Sequence, residues 1–281
     1  MIPNAFAYEA PESLEEAIRL LREDGQDAKL LAGGHSLLPM MKLRFAAPSL
    51  LVDLRRIPGL HGIQRENGGW RIGALVPIAE LEDTPELGVV SRAAGKVADR
   101  SVRNRGTIGG TLAHADPGSD LPTVLLTCEG SVTVQGADGQ RVVEAGDLFR
   151  GYMQTAIGPE EILTEVRVPA LDGYGFAYEK FTRRAEDWAM VAVCAVVKES
   201  DGVCEDVRIG LTSMSPMPLR ATAVEDKLRG GPLNADTIAA ASELAAEGTN
   251  PGGDVNATPD YKRHLARVLC RRALLEAAGI E

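Results

Sequence analysis

Leu14, Ile18 and Leu21 recur at helical spacing behind Ser13, with Glu16 three residues after that serine and Gly25 ending the run, which predicts a capped helix. Short apolar runs at 28–32 and 49–54 read as strands, separated by Gly33-Gly34 and a short helix, so the chain opens in α/β style. Residues 70–75 predict another strand, and Pro77 precedes a short helix. The small residues Ala93, Ala94, Gly95 and Ala98 suit a closely packed helix over about 85–100. A second glycine loop at 106–111 and the turn-rich HADPGSD lead into the apolar stretch 121–126. Residues 131–135 and 140–144 alternate around Ala137-Asp138-Gly139, a hairpin signal, and ILTEVRVP reads as a strand closing at Pro169.

Beyond 170–175 the pattern changes. Long strands are expected at 176–182, 188–198 and 203–213, then helices at about 219–229, 234–247 and 259–278, the last with Leu265, Val268, Leu269 and Leu275 on one face. Strands followed by helices make this third region α+β. The expected units are 1–55, 56–172 and 173–281, with no internal repeat and no low-complexity tract.

Composition narrows the function classes. Apolar residues at 44% and charged residues at 25% are those of a globular chain, and a net charge of −10 disfavours nucleic acid and anionic lipid. The longest uninterrupted apolar run, 188–197, is about half of the ~20 residues a membrane helix needs. The N-terminus has neither the basic nor the apolar region of a secretory signal, and with four scattered cysteines the expected setting is reducing and cytoplasmic. Cys128, Cys194, Cys204 and Cys270 form no CxxC and have no histidine at ligand spacing, so no metal site is expected. Cys194 lies in an apolar strand and reads as core.

The chemical signal is a pair of glycine segments, LAGGHSLLP from Leu31 and TIGGT from Thr107. A Gly-Gly pair lets backbone approach a ligand and point consecutive N–H groups into one concavity, which suits an anion. Ser36 and either Thr107 or Thr111 would add hydroxyls, and a helix from about Leu37 would aim its positive end at the same place, so a pyrophosphate is the expected guest. A plain tight turn is the competing reading. There is no GxGxxG, and Gly95-Lys96 lacks the glycine a P-loop needs. His35 reads as packing against a ligand, and His114 with Asp116 as a turn held by Asx-type hydrogen bonds. Lys96, Arg100, Arg103 and Arg105 either offset ligand charge, meet a partner or form a solvated helix face. Arg183, Arg184, Glu186 and Asp187 read as a charged surface turn.

LLAGGHSLLPMMKLR followed by VRNRGTIGGTLAHADPGSDLP resembles the FAD-binding medium subunits of molybdenum hydroxylases, most of all those of aerobic carbon monoxide dehydrogenases. The likeness runs the whole chain, through EEILTEVRVP and YEKFTRRAEDWA to the C-terminal helices. It implies a p-cresol methylhydroxylase-type fold, α+β overall: two α/β subdomains clasping the flavin and a C-terminal α+β domain with a three-stranded antiparallel sheet and helices. By the same resemblance Leu31, Ala32, Gly33, Gly34, His35, Ser36 and Leu37, with Thr107, Ile108, Gly109, Gly110 and Thr111, fall on the two FAD-phosphate loops. Asp120 matches an acidic residue that contacts the cofactor, Leu163 one whose main chain meets the isoalloxazine ring, and Lys180 a lysine at its pyrimidine edge. Trp188 is the aromatic expected to shield one flavin face. Some relatives carry a further aromatic about ten residues before the second loop, where this chain has Val97.

The resemblance implies an electron-transfer flavoprotein with one non-covalent FAD and no catalytic or metal-ligating residue of its own. Molybdopterin would sit on a large subunit and [2Fe-2S] clusters on a small subunit, in a dimer of heterotrimers that passes electrons to a quinone or another carrier. The complex is expected in the cytoplasm, in association with the inner membrane face through its partners. A related hydroxylase acting on an N-heterocycle or an aldehyde fits the same motifs, and a stand-alone flavin-binding module is the reading from a different class.

Overall fold

The computed structural model describes residues 2–66 and 68–280. Ser13 starts α1 (Leu14–Asp24) by accepting from the Glu16 N–H at 3.2 Å, and the helix buries Ala17, Ile18 and Leu21. That face covers a three-stranded parallel sheet of β1 (Ala7–Glu9), β2 (Ala28–Leu31) and β3 (Leu50–Asp53), in the order β1-β3-β2. Parallel neighbours need a crossover. Between β2 and β3 it carries α2 (Leu37–Lys42), so the chain turns sharply at Gly33-Gly34 as it leaves the sheet.

The second unit begins with β4 (Ile63–Glu66) and β5 (Gly69–Gly73), then runs through α3 (Ile78–Glu82), α4 (Val89–Ala94), α5 (Arg100–Arg103), α6 (Ile108–His114) and α7 (Asp120–Thr127). It returns as the hairpin β6 (Ser131–Gly136) and β7 (Gly139–Glu144), α8 (Ala145–Leu148), a small hairpin of β8 (Phe149–Gly151) and β9 (Gln154–Thr155), and β10 (Ile162–Pro169). The sheet is antiparallel in the order β4-β5-β10-β6-β7. The single helix expected over 85–100 is broken. Gly88 turns at φ +60°, Ala98 takes φ +41°, and Asp99 starts α5 afresh by accepting from the Val102 N–H at 2.9 Å. The small residues that suggested close packing do pack, as Ala93 and Ala94 are fully buried, but the cap and the left-handed residues interrupt the backbone.

The third unit is a sheet of β11 (Gly175–Phe181), β12 (Val191–Ser200), β13 (Val203–Thr212) and β14 (Leu219–Arg220), followed by α9 (Thr222–Leu228), α10 (Ala235–Ser242) and α11 (Pro259–Ala278). It has four antiparallel strands rather than three, because Leu219 and Arg220, expected to open a helix, pair with Leu211 and Gly210. Alternation explains the apolar run in β12. Val191, Val193 and Ala195 face a core shared with α9, α10 and α11, while Ala192, Cys194 and Val196 face the core of the second unit. Gly210 marks how close that second contact is, since a Cβ there would lie 2.1 Å from Thr127 Oγ1 on α7.

Candidate functional site

A cavity of about 940 Å³ opens where the three units meet, within the range of small-molecule and cofactor sites. Of the residues expected on the first phosphate loop, Ala32, Gly33, Gly34, His35, Ser36 and Leu37 line it. Leu31 does not, being buried in a small core with Met41 and Leu51. Of the second set, Thr107, Gly109, Gly110 and Thr111 line the cavity, while Ile108 is buried in the second unit's core.

The two segments are adjacent, and glycine is what allows it. A Cβ on Gly33 would lie 2.1 Å from the Arg105 carbonyl oxygen, and Gly34 turns the chain at φ +76°. The segments are not equivalent. Residues 106–111 were expected to form a loop with free amides, but Thr107 caps α6 and the Gly-Gly pair lies in the first helical turn. Its amides are occupied: Ile108 N–H donates to Val76 O at 3.1 Å, Gly109 N–H to Ala74 O at 2.9 Å, and Gly110 N–H to Thr107 Oγ1 at 3.1 Å. The N–H groups of Gly33, Gly34, His35 and Ser36 have no protein acceptor among the described residues. Unpaired amides of the kind an anion nest needs are therefore found on the first segment, and the second offers hydroxyls and a surface without bulky side chains.

The cavity is also lined by an ion pair. Lys180 Nζ donates to Asp120 Oδ2 at 2.9 Å and to the Lys96 carbonyl oxygen at 2.9 Å, and the lysine and aspartate side chains are each 4% exposed. Tyr178, two residues back on the same strand face, donates its hydroxyl to Asp120 Oδ1 at 2.5 Å. Burial pushes the Asp120 carboxyl upward, while Lys180 and the hydrogen bonds from Tyr178 and Lys180 pull against it. Burial and the neighbouring Asp120 raise the Tyr178 phenol well above its usual value, so it is a neutral donor.

Leu163 lines the cavity at a bulge, where β10 slips register against β6 between Leu163 and Glu165, and such irregularities aim backbone at a site. Trp188 also lines it and keeps 60% of its surface exposed, lying against Gly118. Val97 lines the cavity too. His35 is exposed in the glycine turn. His114 faces the cavity, burial lowering its imidazole pKa against the pull of Asp116. Asp116 accepts from the Gly118 N–H at 2.8 Å, the expected Asx-type turn.

Sequence reading missed part of this. Two of the four residues of the basic cluster are held by partners: Arg100 pairs with Glu82 and Asp83, and Arg103 with Glu82 and the carbonyls of Val97 and Ala98. Glu186 and Asp187, read only as a surface turn, line the cavity. Tyr178 had not been singled out, and its signal was the i, i+2 spacing to Lys180 on one strand. The cavity fits a flavin dinucleotide in volume, in the unpaired amides of its glycine segment and in the buried ammonium and the indole that also line it.

Residues 4–171 match the family model described as FAD binding domain in molybdopterin dehydrogenase, and residues 176–277 that of the CO dehydrogenase flavoprotein C-terminal domain. The carbon monoxide dehydrogenase medium chain of Hydrogenophaga pseudoflava is 42% identical over 98% of this chain and 97% of its own. The structure of a carbon monoxide dehydrogenase from the same organism, lacking the Mo-pyranopterin moiety of its molybdenum cofactor, superposes with a TM-score of 0.97 at 43% identity over 99% of both chains. That of quinoline 2-oxidoreductase from Pseudomonas putida 86 gives 0.95 at 34% identity, again over 99% of both.

Proposed function

This chain belongs to the FAD-binding medium subunits of the carbon monoxide dehydrogenase-type molybdenum hydroxylases, and from that premise we propose that it carries electrons between an iron–sulfur chain and an external acceptor within a three-subunit enzyme. A small subunit would hold the [2Fe-2S] clusters, a large subunit the molybdenum site, and a quinone or another carrier would take the electrons, in a dimer of heterotrimers. When bound, FAD supplies two-electron redox chemistry in a site that this chain shapes.

The observation that carries the reading is the cavity itself, lined both by Gly33, Gly34, His35 and Ser36 with their unpaired amides and by the buried Lys180. The amides and the hydroxyls of Ser36, Thr107 and Thr111 would hold the pyrophosphate. Leu163 would meet the ring by its main chain, Lys180 would lie at the pyrimidine edge with Asp120 as its counter-charge, and Trp188 would cover one face and limit water there. Residues 1–55 and 56–172 would clasp the cofactor, and 173–281 would supply the lysine and the indole.

Carbon monoxide is the favoured substrate of the assembly, supported by the 42% identity to a carbon monoxide dehydrogenase medium chain. The likeness to quinoline 2-oxidoreductase keeps an N-heterocycle or aldehyde hydroxylase as the second reading. Purified native complex is expected to reduce an artificial acceptor with carbon monoxide and to leave purines and aldehydes unoxidised. Turnover of a heterocycle without carbon monoxide oxidation would replace the first reading by the second, and a chain purified alone with flavin but no partner would favour a stand-alone module.

A further inference from the structure

Tyr178 has a feature that packing does not require. Its ring is 1% exposed in the core shared by β11, β12 and the second unit, a space that a phenylalanine would fill as well. Only its hydroxyl reaches a charge, and it does so at 2.5 Å from Asp120 Oδ1, in the range of charge-assisted O–H···O⁻ bonds. Asp120 is the first residue of α7, so its own element fixes one end of the side chain and Tyr178 fixes the other. The remaining carboxylate oxygen is left for Lys180, whose ammonium has three protons. Asp120 Oδ2 and the Lys96 carbonyl take two of them, and the third belongs to an ammonium that lines the cavity. Tyr178 does not line the cavity.

We propose that Tyr178 is a positioning residue for the Lys180 ammonium, acting through the Asp120 carboxylate, and that this three-residue unit sets the charge the C-terminal sheet presents to the flavin. Tyr178 and Lys180 stand on one face of β11, whereas Asp120 belongs to α7, so the three residues join the third unit electrostatically to the second. The phenol draws part of the carboxylate's charge toward itself. Without it Asp120 would compensate Lys180 more fully, and the cavity would become less favourable to added negative charge. The inference rests on the reading that FAD occupies this cavity.

The test is a double-mutant cycle on the protein isolated with the chains that co-purify with it, reading flavin content and the FAD midpoint potential. Lys180→Met is expected to lower the potential, Tyr178→Phe to lower it by less, and the double variant to match Lys180→Met alone. A residue that only packs would shift the potential equally in both backgrounds, and that result, or no shift in either with FAD fully bound, overturns the proposal. If Tyr178→Phe does not fold, 3-fluorotyrosine placed at position 178 alone keeps the shape and donates more strongly. It is expected to raise the potential, and no movement overturns the proposal. Wild-type protein isolated without FAD would overturn the cofactor reading itself, and the inference with it.

Discussion

Gly34 and Gly110 occupy matching places in the two glycine segments, yet each is glycine for its own reason. At Gly34 the backbone sits at φ +76°, where a β-branched side chain is strained, and a Cβ would also lie 2.9 Å from Leu38 Cδ1. At Gly110 the backbone is helical, and a Cβ would lie 2.8 Å from Thr107 Oγ1, the oxygen that caps α6. Strain at the first is of order 1–3 kcal/mol, and loss of the cap at the second about 1 kcal/mol, neither enough to unfold an ordinary domain. Gly34→Val and Gly110→Val are therefore expected to lose bound flavin while keeping a native far-UV circular dichroism spectrum. Full flavin occupancy in both variants would remove these segments from the cofactor site. The sequence made both pairs visible but not their difference, because amide partners such as Val76 O and Ala74 O lie over thirty residues away in the chain. Tyr178 was hidden for the same reason: its ring reads as core, and its partner Asp120 is 58 residues distant.

Elements were legible where local signals agreed. The Pro259–Ala278 helix has Thr258 as cap, a proline in its first turn, an apolar face and Gly279 at its end, and its expected limits coincide with those observed. Around 85–100 the signals conflicted, since small residues favour a helix while Gly88 and Asp99 restart the chain. The β6–β7 hairpin was also plain in the sequence, though not how its edge strand is fastened. Arg141 on β7 donates to Glu161 Oε1 at 2.7 Å, and Glu161 Oε2 accepts from the Gly158 N–H at 2.7 Å, tying the edge to a turn that lines the cavity. Arg141, then the Gly158 N–H, hold the Glu161 carboxyl below its ordinary 4.5 against the opposing effect of burial. A lowered folded value makes the charged pair stabilising above the unfolded value, and that stability is lost as pH falls through the folded one. Glu161→Gln is expected to cost roughly 0.5–1 kcal/mol near neutrality, with Arg141 about half exposed to solvent screening. Denaturant titrations of wild type and variant should converge as the pH drops below about 4.5. A gap unchanged between pH 7 and pH 3 would show that the pair contributes by packing alone.

For the whole molecule, the distribution of chemistry-bearing side chains separates what this chain holds from what it needs supplied. Cys128, Cys194, Cys204 and Cys270 are each buried and free, and burial pushes the Cys128 and Cys270 thiols up to about 12, away from the thiolate form that metals bind. Among the described residues no three His, Cys, Asp or Glu side chains gather as a metal site, and no helix is long and apolar enough to cross a membrane. Among the described residues no cysteine lines the large cavity, whereas His35 and His114 do, so of the histidine and cysteine tethers only a histidine one is within reach of a flavin there. His35 stands among the unpaired amides proposed to hold phosphate, and His114 is half-buried beside Asp116. With neither assigned to the ring, the cofactor is expected to be held by hydrogen bonds, charge and packing alone. Acid precipitation of the protein should then release one yellow FAD per chain into the supernatant, with the chain expressed alone carrying neither iron nor molybdenum. Flavin retained in the pellet would point to a histidine bond, FMN in place of FAD would contradict a pyrophosphate in the glycine nest, and stoichiometric iron would move the electron relay onto this chain.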